Sequence, residues 1–299
     1  MALMKLIFRW YVLVAISVIS LVMVLIFYQF HVLATKHHDQ HYQPYPEDIQ
    51  TSKVGQPSWL DAVRRYGATH NLASLDLDKM TGDQLFMILH SYLDNIDVIC
   101  KRKLRMGNIN EGGWEVCDDI DVRPTPPCIV YSYGINNDWT FDDDISKLYG
   151  CHVFSFDPSI QSDTHNRSDL VHFYKLGISG QSYINKQKWQ LYRHEDLRVL
   201  LKHERSTIDV IKMDVENAEW SALDDMVTSD QFKNVRQLFI EFHVFKKNIT
   251  VLEKLKTLRS LEVAGFQRFY VHKNKSCKLH DSRFPVRRTF CYEVHYIKR

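Results

Sequence analysis

The stretch from Val130 to Ser159 (VYSYGINNDWTFDDDISKLYGCHVFSFDPS) constrains the fold of this chain more than any other. An apolar strand ends at Gly134. A polar loop follows, then a helix over Phe141–Leu148 stopped by Gly150, then a second apolar strand, Val153–Phe156, ending in Asp157. Strand, loop, helix and strand in this order predict an open α/β sheet. In such sheets a ligand lies across the carboxyl ends of the strands, and an acid at the second strand end can take the hydroxyl pair of a ribose. Gly134 stands alone where the dinucleotide fingerprint needs three glycines, so the ligand class is not fixed by this unit by itself.

The same alternation continues to the end of the chain. Further strands are predicted over Val171–Leu176, Ile208–Met213 and Gln237–Phe242, with helices near Glu195–His203, Ala218–Met226 and Val251–Ala264. Ile208–Met213 is apolar and β-branched, as a buried parallel strand should be. Two closing strands, Phe266–His272 and Phe290–Tyr296, form an antiparallel pair. The expected fold is a Rossmann-like, doubly wound, mostly parallel seven-stranded α/β sheet covered on both faces. Upstream, Leu85, Ile88, Leu89, Tyr92, Leu93 and Ile96 repeat at helical spacing after Thr81. Cys100–Asp119 reads as an irregular insert, and Arg123–Pro127 as a stiff lead-in to the core.

The N-terminus bears on the compartment. Trp10–Phe30 holds no charged residue and is rich in Leu, Val and Ile. About 20 such residues span a bilayer as a helix. Lys5 and Arg9 precede it, which orients the N-terminus to the cytosol. The expected organisation is a cytosolic tail (1–9), a transmembrane signal anchor (10–30), a flexible stem (31–75) and a lumenal domain (76–299) of a single-pass type II protein of the Golgi or endoplasmic reticulum. Three glycosylation triplets, at Asn166, Asn248 and Asn274, agree with a lumenal body. So do six cysteines outside the anchor. Cys100–Cys117 and Cys277–Cys291 would close short loops, and Cys128–Cys151 would join the starts of two adjacent strands. A net charge of +2 argues against a nucleic-acid surface.

Several residues could carry chemistry. Gly134 lets backbone approach a ligand closely, and Asn136, Asn137 and Asp138 add polar groups to its loop. Asp214 and Glu216 follow the Ile208–Met213 strand, where acids can position a substrate, act as a base or help hold a metal. Lys212 reads as structural and Glu219 as a solvated helix acid. Glu241 and His243 alternate with apolar residues and so share one face of their strand, and His243 is a candidate base. Asp142, Asp143 and Asp144 offer a D-x-D element of the kind with which lumenal glycosyltransferases hold a metal–sugar nucleotide. The plainer reading is acids at a helix N-terminus, because successive helical residues point about 100° apart.

Taken together, Cys128–Gly134 (CIVYSYG), Asn136–Phe141, Val153–Ser159 (VFSFDPS), Lys212–Trp220 (KMDVENAEW) and Ile240–His243 (IEFH) resemble S-adenosylmethionine-dependent methyltransferases. The closer likeness is to the methyltransferase-like protein 24 group, in the neighbourhood of FkbM-type enzymes, from about Cys100 onward. Asn217 stands where the FkbM pattern has glycine, and Ser132 where an acid is usual two residues before the glycine. The resemblance implies a class I methyltransferase-like fold and S-adenosylmethionine as cofactor. It implies cofactor contacts from the Gly134 loop and Asp157, and Asp214 and Glu216 on the substrate side; with the residues read above, the expected site is Gly134, Asn137 and Asp157 for the cofactor and Asp214, Glu216 and His243 for catalysis, with no metal ligand assigned. The expected reaction is O-methylation of an unidentified secretory-pathway glycan, lipid or protein. The alternatives are a glycosyltransferase using Asp142–Asp144 and a catalytically degenerate binding module, the latter resting on Ser132.

Overall fold

β-branched and aromatic runs separated by Gly, Pro and polar turns form the strands. In the computed structural model the described residues are 71–216, 218–244, 249–284 and 286–299. After two short 3₁₀ turns, helix α1 (Gly82–Leu93) starts at a capping box, in which the Thr81 hydroxyl accepts from Gln84 N and the Gln84 side chain accepts from Thr81 N. A hairpin follows, β1 (Lys103–Met106) and β2 (Trp114–Cys117). The core then runs β3 (Ile129–Tyr133), α2 (Thr140–Tyr149), β4 (His152–Phe156), β5 (His165–Asn166) and β6 (Val171–Tyr174). Three short strands come next, β7 (Gly177–Ile178), β8 (Tyr183–Ile184) and β9 (Gln190–Tyr192), and then α3 (His194–Leu200). The chain closes with β10 (Ile208–Met213), α4 (Glu219–Thr228), β11 (Val235–His243), α5 (Val251–Val263), β12 (Phe266–Lys273), β13 (Lys278–Leu279), β14 (Arg288–Thr289) and β15 (Cys291–Lys298).

The main sheet has the order β12-β15-β11-β10-β3-β4-β6-β5. The pairs from β11 to β6 are parallel, and β15 runs antiparallel to both β11 and β12. The seven expected strands are therefore present, and the two-residue β5 extends the edge to eight. The order reverses at β3, whose successor β4 lies on one side and β10 on the other. The crevice beyond Tyr133 and Met213 is thus the topological switch point, where open sheets bind ligands.

Strand alternation sends Tyr131, Tyr133, Ile211, Met213, Leu238 and Ile240 to one face, under α1, α4 and α5. Val130, Val153, Val210 and Phe239 go to the other, under Phe141 and Ile145 of α2 and under the β1–β2 hairpin. Trp114 of that hairpin stacks on Phe239 with ring centroids 6.5 Å apart. The expected irregular insert is therefore an ordered cover for the sheet, tied by the Cys100–Cys117 disulfide and by Gln237, whose amide bonds Cys117 N and O at 2.9 and 2.8 Å. Cys128–Cys151 joins the starts of β3 and β4, and Cys277–Cys291 closes the loop before β15.

The fold reaches back to Asn71, into the segment read as stem. Leu72 and Leu77 are buried in the core, and Arg259 donates to Leu72 O and Leu75 O. The apolar span expected at 10–30 lies outside the described residues, as do Asn217 and Asn248. Among the described residues no helix is long and apolar enough to cross a membrane. Of the remaining glycosylation triplets, Asn166 lies exposed on β5. Asn274 is engaged: its Nδ2, the atom a glycan would take, donates to Glu241 Oε1 at 3.0 Å.

Candidate functional site

Two cavities meet at the switch point and share Gly134, Asn136, Asp214 and Glu216. The first, about 520 Å³, is walled by Phe156, Pro158, Ile178, Trp189 and Leu191, with Asp157 and Ser159 along one side. The second, about 350 Å³, has Trp114 and Phe141 among its walls and is crowded with carboxylates, among them Asp142, Asp214, Glu216, Glu241 and Glu293.

Gly134 sits where both cavities need it. Its φ is +73°, and a Cβ there would lie 1.6 Å from the carbonyl oxygen of Asp214. No other residue lets β3 and β10 end this close together. Asp214 N donates to Tyr133 O at 3.0 Å, and Lys212 Nζ donates to Tyr133 O (3.3 Å) and to Gly134 O. Lys212 is thus the structural residue its place in the strand suggests. Beyond Gly134, Asn136 and Asn137 both have positive φ (42° and 62°), and Asp138 N donates to Ile135 O at 2.7 Å. This is the geometry of a type I′ turn, which Asn tolerates. The turn aims Asn136 into the first cavity and leaves Asn137 exposed outside both. Asn137, expected to contact a cofactor, thus lies outside both cavities while its neighbour Asn136 lines them, because a side chain's direction within a tight turn is fixed by its φ and ψ rather than by proximity in sequence.

Asp157 lines the first cavity, but its carboxylate is already committed. Oδ2 accepts from Ile135 N (3.1 Å) and Asn136 N (2.9 Å), and Oδ1 from Ser159 N (2.8 Å) and Ser159 Oγ (2.6 Å). Four donors fill the lone pairs of a carboxylate. Asp157 therefore shapes the pocket by tying the Gly134 loop to the Pro158 turn.

The aspartates 142–144 diverge. Asp143 pairs with Arg167 through two hydrogen bonds of 3.0 and 2.8 Å, and Asp144 Oδ2 accepts from Gly107 N at 2.9 Å. Asp142 is buried and accepts from Ser155 Oγ at 2.5 Å, with Ser132 and Lys212 beside it. The D-x-D reading fails because the three carboxylates serve three separate partners. Asp142 also changes the meaning of Ser132. In register Ser132 lies between Ser155 and Lys212, and the acid absent from β3 arrives over this point from α2. Burial raises the Asp142 pKa to about 6, against the lowering effects of Ser155 and Lys212.

Asp214, Glu216 and His243 come together. Their candidate donor atoms all lie within 4.8 Å of one another. Glu216, at φ 49°, is exposed, and its Oε2 is 3.4 Å from His243 Nε2. His243, at the end of β11, is buried. Its Nδ1 and backbone N both meet Glu219 Oε1, at 3.2 and 2.9 Å. Glu219 is fully buried at the start of α4, a correction to its reading as a solvated acid. Burial lowers the His243 pKa, but the bond and charge of Glu219, with Glu241 and Glu216, outweigh it and raise the value. The carboxylates around it therefore favour positive charge at this ring. Glu241 faces the second cavity, and burial and the charge of Asp214 raise its pKa.

Sequence reading misses the apolar wall. Leu191 lies in β9 of the β7-β9-β8 sheet and Trp189 just before it, and the strands of this sheet are two or three residues long and too short to register as a period. Gly177 permits the packing, since a Cβ there would meet Leu191 Cδ2 at 2.5 Å.

The profile of a family described as a methyltransferase domain matches residues 64–298. "Probable methyltransferase-like protein 24" of Rattus norvegicus is 26% identical over 208 residues, covering 62% of this chain and 57% of that protein. Its Homo sapiens namesake is 27% identical over 180 residues, covering 54% and 49%. The chain thus spans about half the length of these curated relatives. The solved METTL16 methyltransferase domain superposes with a TM-score of 0.31 at 13% identity, over 81% of this chain and 93% of that one.

Proposed function

Because the chain belongs to the methyltransferase domain family, we propose that it transfers a methyl group from S-adenosylmethionine to an acceptor held in the second cavity. The observation that carries this reading is the pair of adjacent cavities at the switch point, with Gly134, Asn136, Asp214 and Glu216 lining both. A volume of about 520 Å³ is in the range of small-molecule sites. The residues fit the cofactor by chemistry. Phe156, Pro158, Ile178, Trp189 and Leu191 form an apolar slot suited to an adenine ring, and Asn136 and Ser159 supply polar atoms beside it. Asp214 and Glu216 put negative charge at the shared rim, which suits a sulfonium. When bound, S-adenosylmethionine supplies an electrophilic methyl group. The chain's own part is to hold donor and acceptor in line, and such positioning accounts for much of the barrier lowering in transfers of this kind. Asp214 faces both cavities and is the group we assign to receive the acceptor's proton.

We further propose that the acceptor is an oxygen of a secretory-pathway glycan, lipid or protein, and that the domain lies on the lumenal side of a type II anchor at 10–30. The three disulfides support an oxidising compartment. Calorimetry on the purified chain should give saturable S-adenosylmethionine binding. Trp189→Ala should weaken it by roughly 1–2 kcal/mol, the scale of burying one aromatic contact. A folded, oxidised protein that takes up no S-adenosylmethionine would leave the binding-module alternative and overturn the enzyme reading.

A further inference from the structure

We propose that Asp214, Glu216 and His243 form a divalent-cation site at the junction of the two cavities. Whether a cation binds is independent of the methyl-transfer reading; only its part in catalysis rests on that reading.

Two elements deliver the donors. Asp214 and Glu216 follow β10, and His243 ends the neighbouring β11. Donor atoms within 4.8 Å of one another suit a common centre, since ligands across a cation with bonds of about 2.1 Å stand about 4.2 Å apart. The imidazole is aimed by a residue from outside the trio. Glu219 Oε1 engages His243 Nδ1, which leaves Nε2 turned to Glu216. A buried carboxylate behind a ring nitrogen is the arrangement that orients metal-bound histidines and raises their basicity. Glu219 Oε2 is itself buried with no hydrogen-bond partner, and Oε1 is shared between the ring and the backbone N of His243.

The surroundings are rich in buried carboxylates. Glu241 and Glu293, both more than nine-tenths buried, line the same cavity as Asp214 and Glu216. Glu293 Oε2 has His272 Nδ1 at 3.2 Å as its ion-pair neighbour. Lys212 is the only Lys or Arg of that lining among the described residues, and its ammonium is turned to the carbonyls of Tyr133 and Gly134. Concentrating this many carboxylates in one chamber is costly unless protons or a cation neutralise them. Two carboxylates and one imidazole suit Mn²⁺ or Mg²⁺ better than a thiol-seeking ion. Because Asp214 and Glu216 border both cavities, a cation held by them can also bind an acceptor oxygen and favour its deprotonation.

The test uses the full-length chain stripped with EDTA and titrated with Mn²⁺, followed by calorimetry and by loss of the free-ion electron paramagnetic resonance signal. One saturable site is expected. Glu216→Ala, whose side chain is exposed and leaves folding intact, and Asp214→Asn should each weaken it by about tenfold or more. S-adenosylmethionine binding is measured on the same sample in EDTA. No saturable Mn²⁺ binding by a sample that binds S-adenosylmethionine would overturn the cation site alone, as would unchanged Mn²⁺ affinity in both variants. Mn²⁺ binding that the variants weaken, in a sample that ignores S-adenosylmethionine, would support the cation site and overturn the methyltransferase reading.

Discussion

Asp142 illustrates how a single residue changes role once packed. In sequence it is one of three consecutive acids; in the fold it is the one that goes inside, and burial lifts its pKa from 3.8 to about 6. The raised value means the folded state holds the proton more tightly than the unfolded one between those pH values. Stability from this group is therefore present below pH 3.8 and lost as pH rises through 6, by about 3 kcal/mol for a shift of this size. Asp142→Asn removes the titration. The variant should gain stability relative to the parent as pH rises from about 4 to about 7, read as a growing difference in urea midpoints; a difference independent of pH would contradict the assignment. Gly134 is legible in the sequence because a strand that stops on glycine before a polar loop marks a close approach of backbone. The role of Asp157 is not, because four donors from Ile135, Asn136 and Ser159 converge on it only after two loops have met. Glu219 escapes for a similar reason: nothing local says that the first turn of α4 lies beneath the end of β11.

At the scale of elements, period and punctuation carry most of the information. β3, β10 and α5 lie within a residue or so of their predicted bounds because their apolar runs are long and end at Gly, polar turns or a cap. The hairpin β1–β2 and the strands β7–β9 are illegible because their strands run from two to four residues and gain order only from what they cover. The periodicity predicts α1, but not its fastening to the sheet edge. Arg268 on β12, fully buried, donates to Asp97 Oδ2 through Nε at 2.9 Å and to Tyr92 O, and its guanidinium lies 3.5 Å from the Tyr92 ring centroid. Breaking a buried charge pair by removing one partner costs about 3–5 kcal/mol. Arg268→Ala should lower unfolding stability by that amount and expose the α1–β12 junction to early hydrogen exchange. A loss below about 1 kcal/mol would show the clamp to be incidental.

For the whole molecule, the buried histidines set the acid limit. His90, His194 and His295 all have pKa values lowered to about 3, chiefly by burial. His90 and His194 bond the Tyr292 and Tyr133 hydroxyls at 2.8 Å. Because the unfolded chain binds these protons from pH 6.5 downward and the folded one does not, stability is present above 6.5 and lost progressively toward pH 3. Each shift is worth several kcal/mol, against a total stability of about 5–15 kcal/mol. Far-ultraviolet circular dichroism should therefore record cooperative unfolding above about pH 3, and His194→Gln should move the midpoint downward; a chain still folded at that pH would refute this. The sequence by itself determined the alternation of strands and helices, the glycine at the switch point and the acids beyond it, since these follow from local periodicity and backbone freedom. Only the tertiary structure decided which acids turn inward, which carboxylate is already satisfied and which histidine faces a carboxylate on each nitrogen. Those outcomes depend on burial and on donors brought from distant segments, and neither is encoded within any one stretch. The Val130–Ser159 unit could announce a site, but β10, β11 and the β7–β9 wall had to assemble around it before the site had a shape.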